Sequence, residues 1–208
     1  MKGLFITIEG PDGSGKTTIV QELTKRLETS KINYIITREP GGIDIAEQIR
    51  KIILNPKNTT MDAKTEALLY AASRRQHLVE KVLPALKAGI HVICERFVDS
   101  SLAYQGYGRE IGIDAVYSIN KFAIDNIMPD TTIFLDIKPN EGLKRIKQNR
   151  NNLDRLDLEG IEFHQRVYEG YEIVKEMFKD RIIVVDANKP KAEVVDAVYE
   201  IINHKIKG

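Results

Sequence analysis

Five short apolar runs punctuate the chain, and between them the apolar residues recur at helical intervals. Gly3–Ile8, Asn33–Thr37, Ile90–Cys94, Thr131–Ile137 and Arg181–Val185 are rich in Ile, Val and Thr and read as strands. Thr17–Leu27 spaces Val20, Leu23 and Leu27 as one face of a helix. Asp44 followed by Glu47 resembles a capping box opening a helix to about Leu54, which Asn55-Pro56 ends. A longer pattern runs from Asp62 to Ala88, with Leu68, Ala71, Ala72, Leu78, Val79, Val82 and Leu86 as its apolar stripe. Pro84 is expected to kink it and Gly89 to stop it. Further helices are expected over Asp114–Asn126, Asn140–Asn149, Gly160–Phe178 and Lys191–Lys205. Strands alternating with helices predict an α/β fold, a five-stranded parallel sheet flanked by helices on both faces. There is no internal repeat, and 208 residues without a composition break predict a single domain over 1–208.

Between the first strand and the first helix stands Gly10-Pro11-Asp12-Gly13-Ser14-Gly15-Lys16-Thr17, a full match to G-x-x-x-x-G-K-[ST]. Strand, glycine-rich turn and helix is the setting in which that pattern grips phosphate rather than merely connecting two elements. Glycines let the backbone curl round an anion, and the helix N-terminus adds its positive end. Lys16, expected to stand exposed in the cleft, adds a charge, and the Thr17 hydroxyl is placed for Mg²⁺. Gly10 through Thr18 are therefore assigned to a nucleoside triphosphate, the signature of a P-loop NTPase. In parallel sheets ligands gather at the carboxyl ends of the strands, so Arg38-Glu39 and Glu95-Arg96 are expected to face the same crevice.

Composition narrows the partners. The chain is 42% apolar and 29% charged, enough for one buried core, with a formal net charge of +1 that calls for neither nucleic acid nor a membrane. The one cysteine, Cys94, lies in an apolar run and fits an inert buried thiol in a reducing compartment. No long apolar span and no signal peptide are evident, so a cytoplasmic protein is expected.

Arg38, Arg50 and Arg96 place three guanidinium groups near a cleft already assigned a triphosphate, which suggests a second phosphoryl group to be held. Tyr70 and Arg74 are four apart on one helical face. That pair could stack on a planar base and bond its edge, or it could be core packing beside a surface charge.

Arg38-Glu39-Pro40-Gly41-Gly42, Glu95-Arg96-Phe97, Ser100-Ser101-Leu102-Ala103-Tyr104-Gln105-Gly106 and Leu153-Asp154-Arg155, in this order behind a phosphate loop, resemble bacterial thymidylate kinases. The resemblance runs from the first strand to the last helix and implies transfer of the ATP γ-phosphoryl group to dTMP, giving dTDP, with Mg²⁺. It puts Asp12 beside the acceptor deoxyribose and Arg38, Arg96 and Arg50 on the dTMP phosphate. Tyr70 would stack on thymine where related enzymes often have phenylalanine. Arg74, Ser101 and Gln105 would meet the base edges, and Tyr104 would crowd the 2′ position. Glu95 stands where aspartate is more usual and would serve the metal with Thr17. Asp186–Pro190 resembles the adenine loop. The group with glycine in the phosphate loop, here Gly13, supplies arginines from a lid, which implies a lid over about 145–157 with Arg155 or Arg150 at the transferred group. The catalytic set is thus Asp12, Lys16, Arg96, Arg150 and Arg155. The family is commonly homodimeric.

Other readings meet specific obstacles. A GTP switch would read guanine through N-K-x-D, whereas Asn188-Lys189 is followed by Pro190-Lys191. A nucleic-acid module built on the basic stretch Lys144–Arg155 lacks interleaved aromatics. A kinase for another nucleoside or nucleotide is separated only by its substrate.

Overall fold

A computed structural model of the chain describes residues 2–30, 32–149 and 154–207, and of Asn149 the backbone alone. The apolar runs form β1 (Phe5–Glu9), β2 (Tyr34–Arg38), β3 (His91–Glu95), β4 (Thr131–Asp136) and β5 (Ile182–Asp186). They make one parallel sheet in the order β2-β3-β1-β4-β5. Side chains alternate across a strand, so β1 divides between two cores. Ile6 and Ile8 join Ile93, Ile133 and Leu135 beneath α1 (Lys16–Glu28) and α9 (Lys191–Lys207). Phe5 joins Val92, Cys94 and Phe97 on the opposite face, against Leu78, Val82, Val116 and Val174. Burying each such aliphatic side chain contributes about 1.5–3 kcal/mol. The same alternation turns Thr7 and Glu9 to the Phe5 side. Both are fully buried there.

Three local features differ from the sequence expectation. First, α2 (Asp44–Leu54) has Ile43 at its N-cap with no side-chain cap. Glu47 reaches back instead to the Gly42 N–H at 2.7 Å, so its carboxylate ties the Pro-Gly-Gly loop to the helix. Second, the long pattern is divided into α3 (Ala63–His77), a π-helical turn Leu78–Val82 and α4 (Leu83–Lys87). Pro84 has no N–H for the preceding carbonyl ladder, and the turn before it widens, with Leu83 N–H bonding back to Leu78. Third, the stripe along α3 and the widened turn after it is only partly core. Leu68 and Val79 are 56% and 36% exposed, and Ala72 is exposed, while Glu66, Ser73, Arg74 and His77 are turned inward and buried.

Between β3 and β4 the chain forms α5 (Val98–Ser101), a second π-helical turn (Leu102–Gly108) and α6 (Ile113–Ile124). The widened turn is closed by Arg109 N–H on the Tyr104 carbonyl at 2.8 Å, and it carries Tyr104 and Gln105 to the sheet's carboxyl edge. Beyond β4, α7 (Pro139–Asn149) and α8 (Ile161–Met177) complete the fold.

α7 starts against the phosphate loop. Gly13 has φ of 78°, and a Cβ there would lie 2.1 Å from the Gly142 carbonyl oxygen. A Cβ on Gly142 would in turn lie 2.4 Å from the Asp12 carbonyl oxygen. Any side chain at position 13 would displace α7, which gives the glycine of this phosphate loop a packing reason. Gly142→Ala tests the contact. In an ordinary helix interior that change gains about 1 kcal/mol. Here thermal unfolding should show a loss of about 1–3 kcal/mol from overpacking. A stabilised variant would mean that α7 does not abut the loop.

Candidate active site

The phosphate loop closes on its own lysine. α1 opens at Lys16 behind Gly15, which has φ of 90°, so the N–H groups of the first helical turn have no intrahelical carbonyl. Lys16 is 5% exposed rather than standing free in the cleft. Its ammonium donates to the carbonyls of Gly10 at 2.9 Å and Pro11 at 2.8 Å, and to Ser14 Oγ at 3.2 Å. Burial, with the Arg96 guanidinium nearby, lowers its pKa to about 7 despite the opposing carboxylates of Asp12, Glu95 and Glu9. The loop thus keeps a desolvated lysine folded where an anion would draw it out.

Arg96 crosses the floor of the site. Its φ of 67° is a left-handed conformation, and the Nη2 group donates to Asp12 Oδ1 at 2.5 Å. Nη1 donates to Ser100 Oγ at 3.0 Å and to Tyr171 Oη and the Gly10 carbonyl, both at 3.3 Å. The guanidinium lies over the Tyr104 ring, 5.0 Å from its centroid, while the Tyr104 hydroxyl donates to Asp12 Oδ2 at 2.8 Å. Burial pushes the Asp12 carboxyl up, but Arg96, Lys16 and the Tyr104 hydroxyl outweigh it and hold the pKa at about 2. Asp12 is therefore an acceptor throughout the neutral range.

A cleft of about 1000 Å³ runs along the strands' carboxyl edge. Asp12 to Thr18, Arg38, Arg50, Tyr70, Glu95, Arg96, Tyr104 and Gln105 all line it, so the structure brings together most of the residues singled out in the sequence. Gly10 and Pro11 stand behind it as the carbonyl partners of Lys16. Arg38 is swung outward, 46% exposed, onto Glu47 at 2.7 Å. Arg50 donates to the Pro40 carbonyl at 2.9 Å, across a cis Glu39–Pro40 bond; burial and the Arg38 charge lower its pKa. Thr17 Oγ1 donates to Glu95 Oε1 at 3.0 Å, which sets two hard oxygen donors side by side at the helix N-terminus. That pair fits Mg²⁺ carried on phosphates, which takes few ligands from protein. Arg145, Ala187, Lys189 and Lys191 line the other end, where Asp186–Pro190 was expected to meet a base.

Several candidates lie elsewhere. Arg74 is 2% exposed, paired with Glu39 at 2.7 Å and bonded to Ser101 Oγ, Asn120 and the Phe97 carbonyl. It and Ser101 form a layer behind the cleft wall. Arg155, expected at the transferred group, lies apart from the cleft lining. Its guanidinium is buried, bound to Glu66 at 2.5 Å and to the Ile53 carbonyl at 2.8 Å. Burial of a charge demands a partner, and Glu66 supplies one; Gln105 Nε2 donates to the same carboxylate at 2.8 Å. Arg150 and Leu153 lie outside the described residues. Glu39 was expected at the crevice and lines it, but its pairing with Arg74 had no sequence signal; Glu9 and Glu66 went unassigned, and a carboxylate at the end of an apolar run was the available signal only for Glu9.

A phosphate loop on one side of a cleft and guanidinium groups with a tyrosine wall on the other define a P-loop enzyme that moves a phosphoryl group between two ligands. The family model for thymidylate kinase matches residues 8–198. The chain is 59% identical over 208 residues to the thymidylate kinase of Clostridium novyi and 58% identical over 208 residues to that of Bacillus velezensis, in each case covering 100% of this chain and 98% of the relative. It is 54% identical to that of a Geobacillus species, covering 100% of both chains. The chain belongs to the thymidylate kinase family and is a nucleoside monophosphate kinase, a phosphotransferase.

The Lys16 environment has a direct readout. In the ligand-free protein its ammonium should titrate near the pKa of about 7 that its burial imposes, against about 10.4 for an ordinary lysine. Carbon-detected NMR of lysine-labelled protein reports this, with Lys16→Arg assigning the signal. A midpoint above about 10 would show that the ammonium is solvated.

Proposed function

We propose that this chain phosphorylates dTMP to dTDP with ATP and Mg²⁺, in dTTP biosynthesis. The observation that carries the reading is the Arg96–Asp12–Tyr104 knot, which ties the phosphate loop to the segment after β3 within one cleft. Phosphoryl transfer asks the protein for alignment and charge rather than covalent chemistry.

Each residue's part is read from the family resemblance together with its position. The ammonium of Lys16 turns from its loop carbonyls to the β- and γ-phosphates, and the helix N-terminus faces the same charge. Thr17 and Glu95 would hold Mg²⁺, which would neutralise charge on the phosphates when bound. Arg96 grips the acceptor phosphate, with Arg38 released from Glu47 and Arg50 beside it. Asp12 lies by the acceptor sugar, and Tyr104, fixed by its bond to Asp12, crowds the 2′ position. Tyr70 stacks on the base, and Gln105, its amide held by Glu66, presents its carbonyl oxygen to the base edge. Arg74 and Ser101 shape the wall behind. The lid spans about 145–157 of a single kinase domain. Arg150 carries the transition-state charge from it, while Arg155 anchors its far end to Glu66.

The chain acts as a cytoplasmic homodimer. Ile52 on α2, Leu68 on α3 and Phe122 on α6 are 48%, 56% and 89% exposed, apolar area that one copy leaves wet. No helix among the described residues is long and apolar enough to cross a membrane.

Coupled ADP release with ATP, Mg²⁺ and a panel of dTMP, dUMP, CMP and thymidine tests the reading. dTMP should give the highest kcat/KM. Thymidine, which offers Arg96 no phosphate, should give none. Turnover of CMP or thymidine at the dTMP rate would contradict it.

A further inference from the structure

Glu9 closes β1 with its side chain fully buried, and no step above uses it. Oε1 accepts the Phe97 N–H at 2.6 Å and the Ser100 N–H at 3.2 Å. Oε2 accepts the Ser100 hydroxyl at 2.5 Å and the Tyr171 hydroxyl at 3.2 Å. The two amide partners can only donate, so Oε1 cannot carry a proton. The Ser100 hydroxyl spends its single proton on Oε2, which leaves its lone pairs to accept from Arg96 Nη1 at 3.0 Å. One carboxylate therefore holds both the turn that follows Arg96 and the oxygen against which the guanidinium rests.

The backbone makes this bracing necessary. Arg96 occupies a left-handed conformation, at φ of 67°, that a residue with a Cβ adopts only when its surroundings impose it. On its N-terminal side the constraint is the ladder bond from Arg96 N–H to the Ile8 carbonyl at 3.0 Å. On the C-terminal side α5 begins without a side-chain cap of its own, and Glu9 accepts its free N–H groups from the neighbouring strand. β1 and β3 are paired in register, Ile8 beside Glu95, which brings Glu9 level with this turn.

We propose that Glu9 is a positioning residue: its carboxylate fixes the Phe97–Ser100 turn and the Ser100 hydroxyl so that Arg96 aims at the acceptor phosphate. This rests on the assignment of Arg96 to the dTMP phosphate. Glu9→Gln keeps the shape and replaces the oxygen that meets the two hydroxyls with a donating nitrogen. Its amide nitrogen cannot face the two N–H groups, so it meets the two hydroxyls and displaces the Ser100 proton from its acceptor.

The test compares wild type, Glu9→Gln, Arg96→Ala and the double variant, reading KM for dTMP and for ATP separately. Glu9→Gln should raise KM for dTMP about tenfold, the loss of one charge-assisted contact, with KM for ATP within about twofold. In the Arg96→Ala background it should add nothing to the KM for dTMP, because its effect runs through that guanidinium. If Arg96→Ala itself leaves KM for dTMP unchanged, the assignment of Arg96 fails and the proposal falls with it. Should Arg96→Ala raise KM while Glu9→Gln does not, raises both KM values equally, or adds independently, Glu9 only supports the fold and the proposal alone is overturned. Where Glu9→Gln does not fold, Ser100→Ala replaces it. That variant keeps both backbone bonds to Glu9 and should raise KM for dTMP about threefold or more, again only when Arg96 is present; an unchanged KM overturns the proposal.

Discussion

One guanidinium, that of Arg96, joins the parts of this enzyme that would otherwise be independent. It touches the phosphate loop through Asp12 and the Gly10 carbonyl, the segment after β3 through Ser100 and Tyr104, and α8 through Tyr171. A fixed planar fork of donors suits this better than a flexible ammonium could. The left-handed backbone of Arg96 costs on the order of 1–3 kcal/mol, which the surrounding bonds offset. In a P-loop nucleotide kinase both phosphoryl groups must meet in line, so a residue that spans both halves of the cleft sets their relation.

Around this centre the charges come in buried pairs. Arg74 meets Glu39, which also bonds His77 at 2.9 Å; Arg155 meets Glu66; Arg181 meets Asp99 at 2.5 Å. Removing one partner from such a pair costs about 3–5 kcal/mol, because the other charge is left uncompensated. The Arg74 and Arg155 pairs stand behind the cleft, while Lys16, Arg38 and Arg50 keep partners they can give up, carbonyl oxygens or a half-buried carboxylate. The distinction between fixed and exchangeable cations is physical: the fixed ones face a buried carboxylate, the exchangeable ones line the cleft.

Strand order aside, the architecture was legible because buried parallel strands must be apolar throughout, and each apolar run became a strand within two residues of its expected limits. The phosphate loop was legible for a similar reason, since its backbone conformations demand Gly13 and Gly15. The inward face of α3 was not. Apolar periodicity assumes that the core is apolar, and here Glu66, Arg74 and His77 face inward as matched polar partners, pushing Leu68 and Val79 outward. The same assumption left α5 and the π-helical turn after it without an assigned element. Arg155 was placed at the transferred phosphoryl group on motif resemblance, but its fate depended on Glu66, 89 residues away in sequence. Pairings of that range leave no local pattern.

The central claim is that Arg96 is set in place by the protein to read a phosphate. Calorimetric titration of dTMP and thymidine into the wild-type and Arg96→Ala proteins compares ligands that differ only in that group. The account predicts that wild type favours dTMP over thymidine by roughly a hundredfold, the value of two charge-assisted hydrogen bonds, and that Arg96→Ala removes most of the difference. A preference for dTMP that survives intact in Arg96→Ala would contradict it.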